Sequence, residues 1–408
     1  MKHLLLSIVG NTPQVVTETL YAMHAQGKPW PGQIRIITTT VGKRGAMRLI
    51  EEHILERMCT ELGVPCPAFA EPDILVVPDA QGRLVDDART VEDHEALANF
   101  IVTEVRNLTD EKIDANRQRA IHASLAGGRK TMTFYLGYAM SLFGRVGDSL
   151  SHILVSQEYE NLPSFFYPTR QGGLLETRDG KMLDPALAKV ELADIPFIRH
   201  RKELPALLLH NRDGSGVNLR ELIGWINLAE QPEQLRLSLH RAEQRIEISD
   251  EQGTLRKSIT PNLLEFAFYR LMANATCLGE TDNNRPSSSK PDKYWSKLFC
   301  DELLQIYQIA PGDTLDASLK KLLRWNDRNR QLRENTLEIL QDGITAKWFD
   351  QRLNTLRDAF QEWLPMSLAK HLLPRQIWDQ NGRKIESGKK NKSGGYGLAL
   401  DKAQITID

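Results

Sequence analysis

Residues 119–144 read RAIHASLAGGRKTMTFYLGYAMSLFG. A short apolar run ends in a turn carrying two glycines and two cations, and an amphipathic stretch follows at once. Strand, tight turn, helix is the unit from which doubly wound parallel sheets are built. The same order recurs on either side. HLLLSIVG (3–10), QIRIITTTVG (33–42), DILVVP (73–78) and SHILVSQE (151–158) are short apolar runs. Between them lie PQVVTETLYAMHAQG (13–27), RGAMRLIEEHILERMCTELG (44–63) and TVEDHEALANFIVTEVRNL (90–108), each with helical periodicity. Thr90 with Asp93 reads as a capping box. The runs are apolar on consecutive residues, as expected of strands whose two faces are both covered by helices. The fold class is therefore α/β with a Rossmann-like, doubly wound parallel sheet, closing near VELADIPFIRHRKELP at about residue 205.

The pattern then changes. NLRELIGWINLAE (218–230) predicts a helix, and LRLSLHRAEQRIEISDEQGTLRKSIT (235–260) alternates like paired strands, with turns near His240–Gln244 and Asp250–Gly253. PNLLEFAFYRLMANA (261–275) predicts a helix with Pro261 near its first position. The polar GETDNNRPSSSKPDK (279–293) predicts a surface loop or linker. From Tyr294 onward the chain reads as mainly helical, with a basic tail ending in a candidate strand. Six of the seven tryptophans lie beyond residue 200, which gives the second half its own aromatic core. Three domains are expected: 1–205, 206–285 and 286–408.

Composition bounds the function. With 408 residues, two or three domains are expected at about 100–200 residues each. A formal net charge of −1 argues against a basic nucleic-acid coat, though a local basic patch is compatible with it. The four cysteines form no Cys-x-x-Cys pair, which argues against both a zinc site and a disulfide framework. The short apolar run at the N-terminus is neither a signal sequence nor a membrane span, so a cytoplasmic protein is expected. No metal or cofactor is expected.

Three loops at strand ends draw attention. In Gly10-Asn11-Thr12-Pro13, Thr12 suits a helix N-cap and Pro13 the first helical position. The turn also sits where open parallel sheets bind ligands, beyond the strands' carboxyl ends and near a helix N-terminus. In Gly127-Gly128-Arg129-Lys130-Thr131 the glycines permit close approach, and the cations with the helix dipole suit phosphates. Thr38-Thr39-Thr40-Val41-Gly42-Lys43-Arg44 has a similar makeup. No Walker A sequence and no Gly-x-Gly-x-x-Gly fingerprint occurs. His3 and His122 lie on predicted strands, where a structural role is the commoner one.

GNTPQVVTETL (10–20) and LAGGRKTMTFYLGYAMSLFG (125–144) resemble the two signature loops of CARF domains, the CRISPR-associated Rossmann fold. HILVSQEYENLPSFFYP (152–168) and VELADIPFIRHR (190–201) resemble segments of the CARF ring nucleases of type III CRISPR systems. The four segments occur in order across residues 1–205. The resemblance implies a homodimer that binds cyclic tetra- or hexa-adenylate across its two-fold axis and cleaves the ring without metal. By position it makes Thr12 and Lys130 the catalytic pair. Thr12 departs from the serine frequent there by one methyl group. Gly10, Asn11, Gly127, Gly128, Arg129, Thr131, Lys43 and Arg44 become the ligand-binding residues.

For the second half, segment 235–275 resembles a winged helix of the response-regulator type. A ligand-gated DNA-binding regulator, or an effector without ring cleavage, is therefore the alternative function. The strand arginines Arg236, Arg241, Arg245 and Arg256, with Lys257, are poorly placed for a groove. Arg383, Lys384, Lys389, Lys390 and Lys392 form a solvated tail. The Arg-to-His spacing of HEPN ribonucleases occurs at Arg48–His53, Arg89–His94, Arg117–His122 and Arg145–His152, all in the α/β half. No Glu-x-Lys of a restriction-type nuclease exists in the chain.

Overall fold

The structure, a computed structural model, describes the chain apart from residues 1, 111–118, 161, 210–215, 217, 288–289, 380–382, 384 and 386–393. It forms two compact units, Met1–Leu219 and Arg220–Asp408.

The first unit alternates as its sequence predicts. The order is β1 (Lys2–Ile8), α1 (Gln14–Ala25), β2 (Gln33–Thr38), α2 (Thr40–Glu51), α3 (Ile54–Leu62), β3 (Ile74–Val76), α4 (Val91–Thr109), β4 (Arg119–Ser124), α5 (Lys130–Phe143) and β5 (Ser149–Val155). A small hairpin follows, β6 (Leu175–Glu176) with β7 (Met182–Leu183), then β8 (Val190–Asp194) and a short α6 (Ala206–Leu209). The sheet runs β3-β2-β1-β4-β5-β8, parallel throughout except for β8, which joins β5 antiparallel at the edge. Crossovers reverse direction between β1 and β4, and this is where such sheets bind ligands. Leu4, Leu6 and Ile8 are buried on one side of β1, and Leu5 and Val9 on the other, so both faces are covered.

Thr90 and Asp93 make the expected capping box at α4. The single helix expected over 44–63 is two helices, because His53 takes a left-handed φ of 51° between α2 and α3. The third loop is also not a loop. Thr39 caps α2, its hydroxyl accepting from the Gly42 N–H at 3.5 Å, so Lys43 and Arg44 are the fourth and fifth residues of the helix.

From its second residue α7 (Leu219–Leu228) belongs to the second unit, and a meander follows, β9 (Arg236–His240), β10 (Arg245–Ser249) and β11 (Arg256–Ile259). Helices α8 (Leu263–Leu278), α9 (Lys293–Ile306), α10 (Leu315–Asn329), α11 (Glu334–Asp342), α12 (Ala346–Trp363) and α13 (Met366–Leu372) follow. Two short strands, β12 (Arg375–Gln376) and β13 (Tyr396–Gly397), pair with each other, and β14 (Ile405–Ile407) pairs parallel with β9. Asn262 is the N-cap of α8, accepting from the Leu264 and Glu265 N–H groups, and Pro261 lies outside the helix.

One hydrophobic cluster spans this unit from Trp225 to Ile405, so the segments expected as 206–285 and 286–408 share a core. At its centre Phe349 packs edge to face on both Phe268 and Trp295, with centroids 5.0 and 5.1 Å apart. The described residues of the polar segment 279–293 are built into the unit. Asn283 is buried and exchanges hydrogen bonds with Tyr396, and the Trp295 indole donates to the Asn284 carbonyl at 2.5 Å. Lys384, Lys389, Lys390 and Lys392 lie outside the described residues. Among the described residues no helix is long and apolar enough to cross a membrane.

Candidate functional site

Three chain segments meet backbone to backbone where the sheet reverses. A Cβ on Gly10 would lie 3.1 Å from the Gly128 Cα, so the loops after β1 and β4 touch. A Cβ on Gly127 would lie 2.5 Å from the Ile8 carbonyl oxygen. Gly128 has a φ of +78°, and its Cβ would strike the Ile8 side chain at 2.4 Å. On the other side, a Cβ on Gly42 would meet the Thr38 hydroxyl at 2.1 Å and the Gly10 carbonyl at 2.9 Å. Thr38 fixes that corner by donating to the Val9 carbonyl at 2.6 Å. These glycines are required by the contacts of the loops with β1 and with one another.

The four cations expected here divide into two kinds. The Arg129 guanidinium is held by Asp87 at 2.6–2.7 Å, and Arg89 shares that carboxylate at 3.0 Å. Hydrogen bonds from Arg129 and then Arg89 hold the Asp87 carboxyl below its ordinary range. Lys43 is paired with Glu71 at 2.7 Å. Lys130, the first residue of α5, and Arg44 are exposed and without partners among the described residues. The Thr131 hydroxyl is buried without a hydrogen bond and so does not face solvent. Asn11 is exposed at the loop tip.

Thr12 does not cap α1. Pro13 takes the N-cap position and no side chain caps the helix. Thr12 instead borders a cleft of about 190 Å³ together with Gln14, Glu18, Ala126, His152 and Glu160. Gln14 anchors α1 against the loop after β5 by donating to the Pro163 carbonyl at 3.0 Å, and Thr17 does the same to Phe166 at 2.7 Å. Glu18 and His152 are the residues sequence reasoning missed. The one available signal is that Gln14 and Glu18 stand four apart on a helix whose neighbouring positions are buried.

Glu18 is 6% exposed, and no side chain among the described residues pairs with it. Burial, then the Glu160 charge, pushes its carboxyl up to about 7. The folded chain therefore binds more protons than the unfolded one between pH 4.5 and about 7, and stability falls as pH rises through that window. Glu18→Gln is expected to match the wild-type melting temperature near pH 4. At pH 8 it should be more stable by on the order of 3 kcal/mol. Calorimetry at both pH values checks this, and an equal difference at both would show that Glu18 is not forced toward its neutral form.

His122 is structural. Its ring lies between the hydroxyls of Ser151 at 2.7 Å and Ser149 at 3.0 Å, and burial pulls its pKa down to about 4. Neither His122 nor His3 lines the cleft. Among the described residues no cluster of three or more His, Cys, Asp or Glu is arranged to hold a metal.

A family model described as CRISPR-associated protein NE0113 (Cas_NE0113) matches residues 12–225, just over half the chain. The match begins at Thr12 and includes every later strand of the six-stranded sheet. No curated protein matches the chain. Among solved structures, a Listeria monocytogenes protein crystallised as a candidate UDP-N-acetylglucosamine 2-epimerase is 16% identical, with 34% of this chain and 28% of that one covered. Its TM-score of 0.17 ties neither fold nor function to this chain.

Proposed function

Because this chain belongs to the NE0113 family of CRISPR-associated proteins, we propose that its first unit, a Rossmann-like CARF domain, binds cyclic oligoadenylate and opens the ring. The observation that carries this is the junction of the Gly10, Gly42 and Gly127–Gly128 segments at the β1/β4 reversal, with the unpaired Lys130 at the N-terminus of α5. A helix N-terminus and a free ammonium together favour a phosphate. In the proposed reaction a ribose 2′-hydroxyl attacks the adjacent phosphorus. The 2′-oxygen–phosphorus bond forms, the bond to the 5′-oxygen breaks, and a proton passes from the 2′-hydroxyl to the leaving 5′-oxygen. The products are linear, ending in a 2′,3′-cyclic phosphate. The protein's share is to hold the hydroxyl in line and to stabilise charge on the phosphorane, for which Lys130 is the group at hand. Thr12, free of capping, is available to orient the ribose or phosphate.

Cyclic tetra- and hexa-adenylate incubated with the purified chain, in magnesium or in chelator, test this directly. Chromatography is expected to show linear products in both conditions. If neither ring is cut, the cleavage step is wrong, and binding without cutting leaves a sensor.

The proposed active form is a two-fold dimer. Phe134 stands one turn beyond Lys130, is 64% exposed, and stacks on Tyr138 at 5.9 Å. An exposed Phe134 backed by the half-buried Tyr138, on the same helix face as Lys130, suits an interface that brings two Lys130 side chains to one axis. Phe134→Glu is expected to turn a dimer into a monomer by light scattering. A monomeric wild type would remove the dimer from this proposal. DNA binding by the second unit has less support, since Arg236 pairs with Glu251, and Arg245 and Arg256 both face Glu247.

A further inference from the structure

The second unit contains a cleft of about 680 Å³, walled by the N-terminus of α8, the start of α11 and one face of α12. Its volume lies within the range of about 300–1,000 Å³ that small-molecule sites occupy. Its chemistry is one-sided. No carboxylate lines it, while Arg333 and Arg352 do, with carboxamides from Asn262, Asn335 and Gln351 among its walls.

Arg352 is 9% exposed. Its guanidinium lies over the Trp348 ring at 5.2 Å, and Glu265 engages it through one nitrogen at 2.7 Å. Its Nε is buried and out of reach, so a ligand in the cleft meets only the terminal nitrogens of the guanidinium. Asn262 commits its oxygen to the first turn of α8, which leaves its amide nitrogen free. The start of α11 has no side-chain cap, and Arg333 beside it is exposed.

We propose that this cleft binds a nucleoside phosphate, taken either free or as the end of a single strand. A phosphate uses the two arginines and the uncapped helix start, which favour negative charge. A base edge presents donors and acceptors together, and carboxamides answer both. An acidic peptide would use the cations and leave the carboxamides idle. The cleft belongs to a different unit from the phosphate loops, and the inference does not depend on ring binding there.

Titration calorimetry on the full-length chain tests it, with the four ribonucleoside 5′-monophosphates and a 5′-phosphorylated single-stranded hexaribonucleotide as probes. Each is measured on wild type, on Lys130→Ala, and on the double variant Arg333→Glu/Gln351→Ala made in the Lys130→Ala chain. Lys130→Ala removes the first unit's contribution, and both residues of the double variant line the cleft without belonging to the core. At least one probe is expected to bind wild type and Lys130→Ala alike and to weaken at least tenfold in the double variant, with its melting temperature unchanged. Stronger binding of the hexamer than of any monophosphate identifies a strand end, and equal binding a free nucleotide. If no probe binds below millimolar concentration, or if binding survives the double variant or disappears with Lys130→Ala, the assignment is wrong.

Discussion

Lys130→Ala is expected to lower ring cleavage by ten- to a hundredfold or more while leaving the melting temperature where it was. One charge-assisted contact to a phosphate is worth about 1.5–3 kcal/mol, which is that range in rate. In a two-fold dimer both copies lose the contact, and the loss deepens. The side chain is exposed, has no partner among the described residues and belongs to no core cluster, so the fold has little to lose. Thr12→Ala is a cleaner companion than its sequence suggests, because Pro13 holds the N-cap position and no cap is lost. Rates from single-turnover cleavage, beside melting curves, decide the matter. A Lys130→Ala chain that cuts at the wild-type rate would leave the Gly-Gly-Arg-Lys turn as a plain strand-to-helix connection.

The largest loss of stability is expected from Glu302→Ala. Glu302 and Arg270 are 3% and 7% exposed, form a direct ion pair, and draw in Asn274 at 3.2 Å and the Asp408 carbonyl at 3.4 Å. Burial pushes the Glu302 carboxyl up, against the pull of Arg270. Removing the carboxylate strands a guanidinium inside the second unit, at a cost of about 3–5 kcal/mol. Six of the seven tryptophans lie beyond residue 200, so their fluorescence in a denaturant titration reports chiefly on this unit. A loss below about 1 kcal/mol would mean that water reaches Arg270 once its partner is gone.

Strands were the most legible part of this chain, because β1, β2 and β4 are buried on largely consecutive residues and their apolar runs cannot be mistaken for surface helices. The Thr90–Asp93 box marked a helix start for the same local reason. Breaks were harder. His53 takes the left-handed conformation at φ 51°, a task usually given to Gly or Asn, so α2 passed into α3 without a visible stop. At the candidate site the glycines and Lys130 were legible from local order. What the cations do was not, because Arg129 meets Asp87 and Lys43 meets Glu71 across 42 and 28 residues of chain. Glu18 and His152 were missed for a similar reason: their cleft closes only when α1 is tied to Pro163, 149 residues away. The polar 279–293 segment read as a linker, and composition gave no hint that Asn283 would be buried against Tyr396.

The strand that completes the second sheet comes from residues 405–407, and Ile405 sits opposite Leu237. The first sheet is closed by Asp194, so during synthesis it is complete while most of the second unit is still unmade. The second unit has to wait: β9 keeps an open edge on the nascent chain until β14 emerges. An unpaired strand edge is a template for pairing with other chains. The unit's vulnerable period is therefore the interval between translation of β9 and of β14, and it lengthens with any pause of the ribosome across the helices between them.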